Sequence, residues 1–169
     1  EEEIRRVGIH ETGHAVVSEL VNPGSVSSLT IVPRGQALGF MRKNTPEHDQ
    51  YLYTRSELEH QIMVALAGAL SEEIWFGQRS TGARNDFHQA WELAREIVNS
   101  GLSELGIISP DDVPRDIIFS ECTKIIKKLE EETMELLTKH KSLVQSVSMK
   151  LLEEETLDRE KFTGILQAS

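Results

Sequence analysis

The chain has 169 residues, 38% of them hydrophobic, so it can bury one core and is too short for two independent domains. We therefore expect a single domain over residues 1–169. The 18 basic and 28 acidic residues give a formal charge of -10, which repels phosphate backbones and excludes nucleic acid as an expected partner. No apolar run has the length of a membrane span, and we expect the chain as given to be soluble.

The first predicted element is a helix from residue 1 to about residue 20. Its apolar and histidine side chains recur every three or four residues along two neighbouring stripes, which is the spacing of a helix enclosed by other elements. The turn-forming residues Asn22, Pro23 and Gly24 predict the end of this helix.

Two short β-rich runs follow at residues 26–32 and 37–41, with turn-forming residues 33–36 between them. This pattern predicts a hairpin, and no other stretch of the sequence predicts a sheet convincingly. We therefore expect one small β-ribbon directly after the first helix.

The remaining segments predict helices. Thr54 and Glu57 have the spacing of a capping box for a helix that runs to about residue 76. Asn85 or Asp86 can cap a helix that Gly101 closes. A long charged helix through about residue 140, a further helix over the apolar positions 143, 147 and 151, and a short one opened by Asp158 complete the chain. The expected fold class is mainly α, a compact helical domain with a small β-ribbon.

The motif His10-Glu11-Thr12-Gly13-His14 lies inside the first predicted helix. Residues four apart share a helix face, so both imidazoles can bind one zinc ion. Glu11 is displaced by about a quarter turn, so it can border the ion without binding it. There its carboxylate can take a proton from water on the zinc, whose pKa falls to roughly 7. The motif thus predicts Zn²⁺ as cofactor and Glu11 as the general base.

A catalytic zinc site takes three protein ligands, so one must come from outside the motif. No G-x-x-H follows His14, which excludes the metzincin arrangement. Asp86 begins a predicted helix after a loop of small residues, although helix capping is the commoner role of an aspartate at such a position. The candidates are the acidic and histidine residues Asp86, Glu72, Glu73, Asp49, His60 and His88.

The motifs resemble those of the peptidase domain of the FtsH-type ATP-dependent zinc proteases. Matching segments occur in the family's order at residues 10–17, 29–40, 53–58, 71–77, 80–86, 93–98 and 151–158. The resemblance implies that His10, His14 and Asp86 bind zinc and that Glu11 is the base. It leaves Glu72 and Glu73, an acidic pair of the family, as support for the ligands and as the second choice for the third ligand.

The resemblance also implies the substrates and partners. We expect unfolded or threaded polypeptides as substrates, held as an added strand along residues 38–41. We further expect an AAA+ ATPase module and a homo-hexameric parent that is usually anchored in a bacterial inner membrane or in a mitochondrial or chloroplast membrane. Two segments depart from the family, since residues 67–70 lack an arginine and the stretch from 105 to 120 is short. These departures bear on ring contacts and substrate range, not on the zinc ligands.

Two other functions are compatible with the motif. One is a non-catalytic scaffold derived from such a protease, and the other is a zinc hydrolase that cleaves a different bond. A scaffold has no need of His10, Glu11, His14 and Asp86 together, so a zinc endopeptidase is the leading hypothesis.

Overall fold

The computed structural model describes residues 1–33, 39–43 and 51–168. Six helices make up most of the described structure. The first is α1 (Glu2–Val21), which corresponds to the helix predicted at the start of the chain. The others are α2 (Arg55–Phe76), α3 (Arg84–Asn99), α4 (Arg115–Lys139), α5 (Lys141–Glu154) and α6 (Arg159–Ala168). The predicted mainly α fold is confirmed. Among the described residues, no helix combines the length and the apolar character that crossing a bilayer requires.

The predicted ribbon is present as β1 (Val26–Thr30) and β2 (Phe40–Lys43), which pair antiparallel. Residues 34–38, on which part of the predicted second strand falls, lie outside the described residues. A third strand, β3 (Thr156–Asp158), pairs antiparallel with the other side of β1, so the strand order is β2-β1-β3. The prediction of a two-stranded ribbon missed β3. In the described part of the chain, strand β2 therefore lies at an edge of the sheet.

Two of the predicted helix starts agree with local hydrogen bonds. Thr54 Oγ1 accepts from Glu57 N at 3.2 Å, and Glu57 Oε1 accepts from Thr54 N at 3.4 Å, which completes the capping box of α2. Asp158 Oδ1 accepts from Lys161 N at 2.9 Å and so caps α6, as its position suggested.

Helices α1 and α2 cross at very short range in the centre of the molecule. A Cβ placed on Gly13 of α1 would lie 2.6 Å from the carbonyl oxygen of Ala67 and 2.2 Å from Ser71 Oγ, both on α2. Only glycine lets the two backbones approach this closely. The buried middle of α1, which includes His10, Glu11 and His14, is therefore held against α2 in one arrangement.

Candidate metal centre

Three side chains from two distant segments converge beside α1. His10 Nε2 and His14 Nε2 lie 3.1 Å apart, and Asp86 Oδ2 lies 3.0 Å from the first and 3.2 Å from the second. The two imidazole rings meet edge to face with an interplanar angle of 78°. Within the described ranges, these three residues are the one group of histidine, cysteine or acidic side chains close enough to share a metal ion.

The separations suit a small cation. Ligands about 2.1 Å from a tetrahedral zinc ion lie about 3.4 Å from one another, which is close to the distances between the three donor atoms. Two imidazole nitrogens and one carboxylate oxygen are also among the donors that zinc prefers, and three protein ligands leave a fourth position open. The residues present therefore fit the ion.

The outward nitrogens of both histidines are held by acceptors. His10 Nδ1 donates to Glu72 Oε2 at 2.7 Å, and His14 Nδ1 donates to the carbonyl oxygen of Val64 at 2.6 Å. A carbonyl or ionised carboxylate can only accept, so the Nδ1 atom of each histidine carries a proton. The Nε2 atom of each histidine faces the donor cluster. Such outer contacts fix the orientation of metal-binding imidazoles.

Gly68 of α2 makes room for the Nε2 atoms of His10 and His14. A Cβ on residue 68 would lie 2.6 Å from His10 Nε2 and 2.6 Å from His14 Nε2. Any other residue would occupy the space into which the imidazoles point. Gly68 thus leaves open space between the backbone of α2 and the two Nε2 atoms.

Asp86 reaches the histidines because of the turn that precedes it. Ser80 Oγ accepts from Gly82 N at 3.2 Å and starts a 3-10 turn at residues 81–83, after which α3 begins. Asp86 lies in the first turn of α3, and its Oδ2 contacts the imidazoles. The position before α3 is Ala83, which makes no side-chain capping bond. The capping role weighed for Asp86 is therefore not the role in which the structure places it.

The other candidate ligands lie elsewhere. Glu72 contacts the far side of His10 at Nδ1, and Glu73 pairs with Arg79 at 3.1 Å. His60 and His88 are exposed and do not join the cluster. Asp49 is outside the described residues. Of the six residues considered for the third position, the structure brings Asp86 to the two motif histidines.

Glu11 is buried beside the cluster but is not part of it. Its charge interacts with His10, His14 and Asp86, and no hydrogen bond contributes to its environment in the described part of the chain. Burial raises the pKa of Glu11 above the usual value, although the two imidazoles oppose this effect. A carboxylate without a fixed partner is free to accept a proton from a water molecule.

The donor groups also shift one another's pKa values. Burial lowers the pKa of His10, but its hydrogen bonds to Asp86 and Glu72 outweigh burial, and the pKa rises from 6.5 to about 9. Burial raises the pKa of Asp86, yet the two imidazoles hold this pKa below its usual range. The doubly protonated form of His10 must lose its Nε2 proton before it can bind a cation, so metal affinity should fall as the pH falls.

A cleft of about 770 Å³ opens over the cluster. Gly39, Met41 and Lys43 of the β2 side line one wall, and residues of α2 and α3 such as Val64 and Gln89 line another. The backbone of Gly39 passes so close to the base that a Cβ there would lie 3.2 Å from Glu11 Cγ. The sheet edge, the carboxylate and the three donors therefore share one cleft.

Sequence reasoning missed several residues around the site. Arg6, which binds Glu72, lies one helical turn before His10, and this spacing could have revealed it. Gly68 lies inside a buried apolar helix, where a glycine signals a close approach. The carbonyl group of Val64 carries no side-chain signal, so only the packing of α1 on α2 identifies it.

A family model described as peptidase family M41 matches residues 1–115. The chain is 37% identical to the ATP-dependent zinc metalloprotease FtsH 2 of Symbiobacterium thermophilum, over 99% of this chain and 31% of that protein. It is 37% identical to FtsH 2 of Thermoanaerobacter sp. over 95% of this chain and 32% of the relative. It is 32% identical to the chloroplastic FTSH 1 of Oryza sativa over 98% of this chain and 28% of the relative. The chain thus spans about a third of the length of these relatives.

Proposed function

Since this chain belongs to peptidase family M41, we propose that it is a zinc-dependent endopeptidase that cleaves unfolded polypeptides. The membership confirms the resemblance that its motifs predicted. We assign His10, His14 and Asp86 as the zinc ligands and Glu11 as the general base. The observation that carries the proposal is the convergence of two imidazoles and one carboxylate, 3.0 to 3.2 Å apart, beside the buried carboxylate of Glu11. The relatives are named zinc metalloproteases, which supports zinc as the ion.

When bound, zinc polarises a peptide carbonyl and brings the pKa of a water molecule to about 7. Glu11 accepts the proton of the attacking water and returns it to the nitrogen of the departing amine. Glu72 and the carbonyl group of Val64 keep the two imidazoles oriented through Nδ1. Gly68 keeps the space at both Nε2 atoms open.

The sheet edge supports a polypeptide as the substrate. Strand β2 has β1 on one side, and its residues Met41 and Lys43 line the cleft that contains Glu11. An extended peptide can add to such an edge through backbone hydrogen bonds, which tolerates many side chains. Of the segment 38–41 expected to hold the substrate, residues 39–41 are described and residue 38 is not. A folded substrate cannot offer an extended strand, so we propose unfolded chains as substrates.

The proposal extends to the assembly. The relatives are named ATP-dependent, and this chain spans about a third of their length. We propose that an AAA+ ATPase module delivers threaded polypeptides to the cleft, in a homo-hexameric parent anchored to a membrane. The rival scaffold role gives no purpose to the buried carboxylate of Glu11 beside the three donors. If the chain hydrolysed another type of bond, the sheet edge beside the site would have no role.

Removal and return of the metal test the activity. We expect o-phenanthroline to stop the digestion of unfolded casein and one equivalent of zinc per chain to restore it, because His10, His14 and Asp86 provide one site. Casein fragments resolved on a gel at fixed times measure the rate. Digestion that continues in the stripped protein would refute a zinc-dependent peptidase. A chain that binds zinc and leaves casein intact would favour the scaffold.

A further inference from the structure

We propose that Arg6 is a positioning residue of the metal centre, which acts through Glu72 to orient His10. The inference rests on the proposed zinc site. Arg6 itself does not contact the three donor atoms. Its effect on the metal passes through one buried carboxylate.

The two oxygens of Glu72 serve different partners. Arg6 Nη1 donates to Glu72 Oε1 at 3.0 Å, while Glu72 Oε2 accepts from His10 Nδ1 at 2.7 Å. Arg6 lies four residues before His10, so both side chains leave α1 on the same face and meet one carboxylate of α2. With both oxygens engaged, the carboxylate plane and therefore the ring of His10 have one orientation.

Arg6 is itself held in place by the end of α2. The same Nη1 atom donates to the carbonyl oxygen of Gln78 at 2.9 Å. The guanidinium carbon lies 4.6 Å from the ring centroid of Phe76, where the cation is attracted by the aromatic face. The side chain of Arg6 is 19% exposed and that of Glu72 is 1% exposed. These contacts thus hold the guanidinium group of Arg6 next to the carboxylate of Glu72.

A buried carboxylate needs this cation. Removing one partner of a buried pair leaves an uncompensated charge, which the surroundings relieve by rotation or rearrangement of the remaining group. The Ser80 hydroxyl is close enough to help lower the pKa of Glu72, and without Arg6 the carboxylate could turn further toward that hydroxyl. Such a rotation would draw Oε2 away from His10 Nδ1. The imidazole would then lose the contact that fixes its Nε2 toward the metal.

The adjacent carboxylate offers a matched control. Glu73 pairs with Arg79 at 3.1 Å, near the same end of α2, and neither residue contacts the metal ligands. Replacing Arg79 by methionine removes an arginine and its salt bridges with Glu73 and Glu130 without touching Glu72. Any general effect of lost charge or helix-end packing should therefore appear in both variants, whereas an effect on the metal should appear only in Arg6→Met.

The test is a zinc titration against a chromophoric chelator, applied to the wild type, Arg6→Met, Glu72→Gln, the double variant and Arg79→Met. We expect Arg6→Met to weaken zinc binding by 10- to 100-fold, as outer-contact substitutions typically do. We expect the double variant to bind no more weakly than Glu72→Gln alone, because Arg6 acts through Glu72. The absorption bands of bound cobalt should shift in Arg6→Met and stay unchanged in Arg79→Met.

Wild-type zinc affinity in Arg6→Met, or a double variant that shows the sum of the two losses, would overturn this inference. The proposed function would not be affected by either result. Failure of the wild type to bind zinc would overturn the proposed function and the inference with it. If Arg6→Met does not fold, Arg6→Lys decides the matter. Lysine cannot reproduce the planar contact with both Glu72 and Phe76, so an intermediate loss supports the inference and wild-type affinity refutes it.

Discussion

Glu11→Gln should abolish the digestion of unfolded casein while the chain still binds one zinc ion. Glutamine keeps the size and polarity of the side chain but cannot accept a proton from the attacking water. Loss of a positioned base typically costs at least 10² to 10⁴ in rate. The zinc ligands are untouched, because Glu11 is not among the three donors within reach of one ion. Initial cleavage rates and zinc content of the same preparation measure both effects.

The pH profile adds a second readout for Glu11. Burial raises its pKa above the ordinary value, so the base becomes protonated at a higher pH than an exposed glutamate would. The wild-type rate should therefore fall as the pH falls through that pKa. Glu3, which also lines the cleft, provides the control, and Glu3→Gln should keep both rate and profile. A pure Glu11→Gln preparation that still digests casein would remove Glu11 from the mechanism.

Gly68→Ala should cost the chain its zinc affinity. The added methyl group would lie 2.6 Å from each ligating Nε2 and 2.7 Å from His10 Cε1. Helix α2 can retreat from α1 only by giving up the close packing of Gly13 against Ala67. The imidazoles must therefore turn away from the position in which they bind a metal. We expect a loss of at least the 10- to 100-fold that disturbed outer contacts cause.

Chelator competition measures the Gly68→Ala effect, and thermal unfolding separates it from a folding defect. Overpacking a core typically costs about 1 to 3 kcal/mol, so the variant should unfold earlier but remain folded at room temperature. Gly164→Ala is the matched control. Among the described residues, no atom beyond its chain neighbours and the backbone of its own helix lies within 4 Å of a Cβ there, and alanine in a helix is about 1 kcal/mol more favourable than glycine. Undiminished zinc affinity in Gly68→Ala would show that Gly68 is not needed to keep space open at the two Nε2 atoms.

The features predictable from the sequence are those with a local cause. The periodicity of α1, the spacing of Thr54 to Glu57 and the cap at Asp158 each depend on residues a turn or less apart. The same holds for His10 and His14, which share one helix face whatever the rest of the chain does. These predictions therefore agree with the structure.

The missed features depend on contacts between distant segments. Strand β3 has three residues, too few for an alternating pattern, and it pairs with β1 across more than 120 positions of sequence. Asp86 could be ranked above helix capping only through the family resemblance, since its local sequence favours a cap. The contacts of Glu72, Val64 and Gly68 with the histidines arise from the crossing of α1 and α2, which no local pattern specifies.

The zinc dissociation constant of Asp86→Ala tests most directly the claim that three residues hold one ion. We predict a loss of at least tenfold, because a ligand contributes no less than the outer contacts that orient it. Asp116, an exposed carboxylate in the first turn of α4, is the control for helix-end effects, and Asp116→Ala should bind zinc as the wild type does. Unchanged affinity in Asp86→Ala would show that the ion is held by other residues.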